Sequence, residues 1–156
     1  MRRAALSFVL MIVAVAASAA QDTRKWMFDD TADGVVLQYG MPESDDLVIT
    51  FACEREPKQM RISEVIGSDS LVPGSAATLR LTSGTQTVSY TGQATSNEES
   101  GTVNIEITTP IDRKLFALLK TGPTLIVELP GKQETIPLKA GTPQVAQFEK
   151  ACLSKR

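Results

Sequence analysis

From Gly34 to Leu138 apolar residues recur mostly at every second position, in short runs broken by Gly, Pro, Asn, Asp and Ser. That is the pattern of β-strands with one face buried. Residues 35–39 and 47–53 flank the turn formers Gly40, Pro42, Asp45 and Asp46, and read as a hairpin with a longish loop. In 59–66, Met60, Ile62 and Glu64 alternate with Arg61, Ser63 and Val65, an imperfect period of two that suits a half-buried strand. Residues 67–74 read as loop. Residues 77–82 and 85–91 then surround Ser83 and Gly84, the two-residue spacing of a tight hairpin, with Val88 and Tyr90 on one face and Thr87, Ser89 and Thr91 on the other. The polar run 95–101 reads as the next turn. In 102–108, Val103, Ile105 and Ile107 oppose Asn104 and Glu106, the clearest strand in the chain, and 124–129 and 134–138 resume the pattern around Pro130 and Gly131.

Two stretches change period. After Pro110, residues Ile111, Leu115, Leu118 and Leu119 share a helical face with Phe116 nearby, until Gly122 and Pro123 stop the helix. Near the end, Thr142 as N-cap and Pro143 at the first helical position begin a helix carrying Val145, Phe148 and Cys152 at spacings of three and four. Trp26 and Phe28 precede the first clear strand and form either an early edge strand or an apolar plug over one end of the core. The whole predicts a mainly β fold, an antiparallel sandwich or flattened barrel of about eight strands with two short helices.

The first 20 residues read differently: Arg2 and Arg3, an apolar run over 4–17, then Ala17, Ser18, Ala19 and Ala20. This is the layout of a cleaved secretory signal, too short to span a bilayer, and it points to the general secretory route. The expectation is a single β-rich domain over 21–156 in the periplasm, soluble and not held to a membrane after cleavage. Losing the two arginines leaves 14 Lys and Arg against 18 Asp and Glu, a formal charge of −4 that makes nucleic acid and anionic lipid poor partners. Export also gives the two cysteines, Cys53 and Cys152, a default as a disulfide, since no CxxC and no histidine offers redox or metal chemistry instead.

The absence of histidine removes every Ser-His-Asp and Cys-His arrangement. Residues 67–71, Gly-Ser-Asp-Ser-Leu, superficially resemble one lipase signature, but the order differs and the histidine is missing, so they read as a turn. Carboxylate pairs could still act on glycosides, with Glu54 and Glu56 or Asp45 and Asp46 as the candidates. Asp29, Thr31, Asp33 and Gly34 fall at positions one, three, five and six of a calcium loop, but position twelve is Gly40 where a bidentate Glu is required. No cofactor is expected. The acidic loops at Asp45 and Asp46 and at Glu98 and Glu99 are the candidate partner-contact elements, because loops on a stapled scaffold suit such work.

Tyr39, Gly40, Pro42, Ser44 and Asp45, then Phe51 and Cys53, and the terminal Phe148, Ala151 and Cys152 resemble small exported β proteins of alphaproteobacteria. The layout is also distantly similar to the invasion-associated locus B family, whose additional cysteines this chain lacks. The resemblance implies a bacterial periplasmic β domain and supplies no catalytic residue. The function expected is a non-catalytic binding or accessory protein acting on another envelope or secreted protein. Inhibition of a secreted hydrolase such as lysozyme, through Ser89, Tyr90 and Gly92 as a loop, is the alternative, and a carboxylate-dependent glycan enzyme a second one.

Overall fold

The computed structural model describes residues 23–98 and 101–154; the signal segment and Glu99 lie outside them. The fold is mainly β: nine antiparallel strands form one curled, half-barrel sheet, accompanied by two α-helices and one disulfide. In chain order the strands are β1 (Lys25–Asp30), β2 (Gly34–Gly40), β3 (Leu47–Glu54), β4 (Met60–Glu64), β5 (Ala76–Ser83), β6 (Gln86–Asn97) and β7 (Thr102–Thr109). Then come α1 (Arg113–Leu119), β8 (Thr124–Leu129), β9 (Lys132–Pro137) and α2 (Thr142–Leu153). Across the sheet they run β1-β2-β3-β4-β7-β6-β5-β8-β9.

The inner face follows from the alternation. Cross-strand partners form continuous rows, one of which reads Phe28, Leu37, Phe51, Ile62 and Ile107. The next row reads Trp26, Tyr39, Ile49, Glu64, Ile105 and Ala94, so one carboxylate stands in an otherwise apolar line. The two helices bury their apolar stripes together, with Phe116 of α1 meeting Phe148 of α2 edge-on at 5.9 Å between ring centres. Cys152 on α2 is bonded to Cys53 on β3, with 5.6 Å between their Cα atoms.

The segment around Trp26 is both things expected of it. It is an edge strand, the ninth, and Trp26 is buried against Tyr39 and Phe51. The outer strands β1 and β9 do not pair. Side chains join them instead: the Trp26 indole N–H donates to the Pro137 carbonyl at 2.7 Å, and Arg24 pairs with Glu134 at 2.7 Å.

Several boundaries differ from expectation. β6 continues through Thr95 to Asn97 and pairs with β7, so the first three residues of the turn expected over 95–101 belong to a strand; Thr and Ser suit a pleated surface even without an apolar alternation. The β5–β6 hairpin turns at Gly84 and Thr85, because Ser83 pairs with Gln86 while Gly84 takes the positive φ of 57° that the tight turn requires. Buried Ser83 accepts a hydrogen bond from the Gly122 amide at 3.0 Å. Asp112 caps α1, which therefore begins at Arg113. Thr142 is the first residue of α2 and not its cap: a 3-10 turn over Lys139–Gly141 runs into the helix, leaving Gly141 at the cap.

Candidate functional site

The end of β3 builds a cleft. Its floor is apolar: Val35 from β2, Cys53, and Ala151 and Cys152 from α2, brought together by the disulfide. β2 lies close because Gly34 has no side chain; a Cβ there would stand 2.3 Å from the Cys53 carbonyl oxygen. The rim is charged, with Asp30 on β1 and Glu54, Arg55, Glu56 and Lys58 at and after the end of β3. The volume is about 270 Å³. Pockets that enclose a whole small ligand start near 300 Å³, so this one fits an inserted side chain or two.

Each rim charge has a defined setting. Arg55 turns back over the β1–β2 turn and donates to the carbonyls of Thr31 and Ala32, the latter at 2.5 Å, while pairing with Asp30 at 2.5 Å. Glu54 accepts from the Gln59 amide at 2.6 Å and faces Arg61 at 3.4 Å. Lys58 leans on the Ser154 carbonyl at 3.4 Å. Glu56 stands exposed at the mouth.

The glycosidase candidates Glu54 and Glu56 thus share the cleft, but Glu54 spends its oxygens on Gln59 and Arg61. Asp45 and Asp46 are exposed in the β2–β3 loop, where their carbonyls accept from Leu47 and Met41. That loop enters β3 at the end opposite the cleft, about 25 Å away along an extended strand. Glu98 lies at that same opposite end, because β7 starts where β4 finishes and β4 finishes where β3 starts. The acidic contact loops therefore share one end of the sheet, and the cleft occupies the other. Asp29, Thr31 and Asp33 lie in and beside the β1–β2 turn, where the cation present is the guanidinium of Arg55. Among the described residues no cluster of three metal-ligating side chains occurs.

Ser89, Tyr90 and Gly92 are not a loop. They lie in β6, paired with Arg80, Leu79 and Ala77, and Gly92 admits the Glu106 carbonyl so closely that a Cβ would approach it to 2.2 Å. The Tyr90 hydroxyl donates to one oxygen of Asp112 at 2.8 Å, and the other oxygen accepts from the Lys114 amide at 2.9 Å, so one carboxylate both caps α1 and ties it to β6. Burial first, then the bond to Asp112 and its charge, push the phenol above its ordinary range. A folded-state value above the unfolded one gives stability that is whole below about pH 10 and is lost as pH climbs beyond it, because unfolded chains ionise first. Tyr90→Phe is expected to cost about 1.5–3 kcal/mol at pH 7, and the wild-type advantage to shrink above about pH 10. Urea unfolding of both proteins across that range checks the sign.

Residues 67–71 form a turn, as expected from their composition: Ser68 donates its hydroxyl to the Pro130 carbonyl at 2.6 Å, and its oxygen also accepts from the Ser70 amide at 3.1 Å. No family model, curated protein or solved structure matches the chain.

Sequence reasoning missed Arg55, Lys58 and Val35 as cleft residues, because only the disulfide and the β2–β3 register bring them together. It also passed over Glu64, although its place in step with Met60 and Ile62 marks it as inward-facing.

Proposed function

We propose that this chain is an exported, non-catalytic binding protein that acts on another envelope or secreted protein, and that the cleft beside Cys53–Cys152 is where it grips that partner. The observation that carries the reading is the make-up of the cleft: an apolar floor sealed by the disulfide and ringed by charged side chains, the arrangement of a small interface centre with a polar rim. A rigid floor loses little freedom on binding, which favours affinity. Three carboxylates line the rim against two cations, and Arg55 is already neutralised by Asp30. The complementary partner segment inserts an apolar side chain beside a lysine or arginine that meets Glu56. The disulfide supports an oxidising compartment, in line with the signal-like first 20 residues.

A photo-crosslinking residue placed at Glu56, in the full chain expressed in its own host, tests this, with Thr87 on the outer face of β6 as the comparison position. Discrete adducts at Glu56 and not at Thr87, weakened by Ala151→Asp, are expected. No adduct at Glu56, or the same adducts at both positions, refutes the cleft as the contact. An inhibitor would additionally slow its captured hydrolase stoichiometrically.

A further inference from the structure

Glu64 is the one carboxylate in the two inward rows that run through Phe51 and Ile49, and it is 1% exposed. The strands beside it offer Ile49 and Ile105, and Tyr39 follows Ile49 in the same row. One carboxylate oxygen accepts from the Gly67 amide at 2.7 Å; the other is buried and has no hydrogen-bond partner. The charged group facing it from another element is Lys132 of β9, whose ammonium donates to the Ile66 carbonyl at 2.9 Å, while Asp69 of the adjoining loop is exposed. A lone carboxylate oxygen without a partner is expensive inside a protein when ionised and much cheaper when protonated.

The loop that Glu64 anchors is placed to matter. Gly67 takes a φ of 63° there, and a Cβ would lie 2.5 Å from Thr102, so the loop leaves β4 hard against β7. It then lines two surface depressions, one with Thr102 and Lys132, the other with the start of β5. Val72 is already 65% exposed, whereas Leu71 is buried beneath it. β8 pairs with β5 over residues 80–82 and ends at Leu129, beside Leu79 in that register, so residues 76–78 of β5 lie beyond the end of β8. An open loop would present Leu71, Val72 and that unpaired strand edge together, a surface suited to an extended peptide.

We propose that Glu64 is a proton-operated latch on the β4–β5 loop: protonated, it keeps residues 66–71 shut on the sheet, and ionised, it lets them open and bare Leu71 and the free edge of β5. The sign follows from linkage. Burial outweighs the nearby amides of Gly67, Ile105 and Ile66 and the charge of Lys132, and raises the carboxyl above its ordinary value. A group that holds its proton more tightly in the closed form must, on losing it, favour the open form. The inference is independent of the cleft, which lies at the other end of β3.

Two measurements on the intact protein test it: the carboxyl carbon shift of Glu64 against pH by NMR, and the exchange protection of the loop amides 67–71 over the same range. The carboxyl is expected to titrate above the ordinary glutamate range, and protection, corrected for intrinsic rates, to fall about tenfold for each pH unit the value is raised. Glu64→Gln keeps the acceptor for Gly67 and removes the charge, so its loop should stay protected throughout. Titration of Glu64 in the ordinary range overturns the latch, as does unchanged loop protection across its titration. The same pH-dependent loss in Glu64→Gln overturns it too.

Discussion

Replacing Cys53 and Cys152 together by serine should lower the free energy of unfolding by up to about 4–5 kcal/mol, the chain-entropy limit for closing a loop of about 100 residues. The bridge spans 99 positions, so it closes most of the chain after residue 52 into one loop when unfolded. It also holds the final helix in place. α2 has 12 residues, too short to persist alone, and its burial of Val145 and Phe148 is what keeps it helical. A small domain has about 5–15 kcal/mol in all, so the variant should sit close to its unfolding threshold. Urea titration of the oxidised protein and the double variant measures the difference; a loss under about 1 kcal/mol would mean that helix packing alone secures the C-terminus. The cleft floor would loosen as well, and the crosslink at Glu56 should disappear with it.

The second large effect belongs to Trp26. Truncation to alanine should cost about 3–5 kcal/mol for the lost burial, with a further contribution from the hydrogen bond across the seam. The indole is 3% exposed, packs on Tyr39 and Phe51 at 5.4 and 6.5 Å between ring centres, and bridges the unpaired strands β1 and β9. Trp26→Phe separates the two parts: it keeps most of the ring and loses the bond to Pro137, so about 1 kcal/mol should go. Gly141→Ala reports on the same contact from the other side, since a Cβ would stand 2.2 Å from the indole. Thermal unfolding of the three variants should rank Trp26→Ala and Gly141→Ala well below Trp26→Phe. Equal losses for Trp26→Ala and Trp26→Phe would show that the seam bond, and not the burial, carries the effect.

Where apolar residues alternate cleanly, the strands were legible. Val103, Ile105 and Ile107 mark β7, and Leu125, Val127 and Leu129 mark β8, because a half-buried strand must place its greasy side chains at every second position. The helix faces were legible for the same reason at the other period, through Leu115, Leu118 and Leu119 and through Val145, Phe148 and Cys152. β6 past Thr91 was not legible. Its residues to Asn97 are polar on nearly every position, and what makes them a strand is β7 alongside. Cap and turn positions shifted by a residue at Ser83 and Thr142, where a neighbouring element competes for the local hydrogen bonds.

Of the candidate site, the sequence revealed Cys53, Cys152, Glu54 and Glu56, and the parity of Glu64 was available in it. The partnerships were hidden. Arg55 meets Asp30 across 25 positions, Lys58 meets Ser154 across 96, and Trp26 meets Pro137 across 111, and no local pattern encodes such contacts.

The amino-acid order by itself determined a β-rich chain, its two helices, which faces of most strands are buried, and the pairing of its two cysteines, since these follow from periodicity and residue chemistry over short spans. Only the tertiary structure decided that the strands form one curled sheet with a side-chain seam, that a charged cleft opens beside the disulfide, and that one glutamate is shut inside the core. Those outcomes depend on which distant strands become neighbours, and burial, which sets the cost of each charge, exists only once they have.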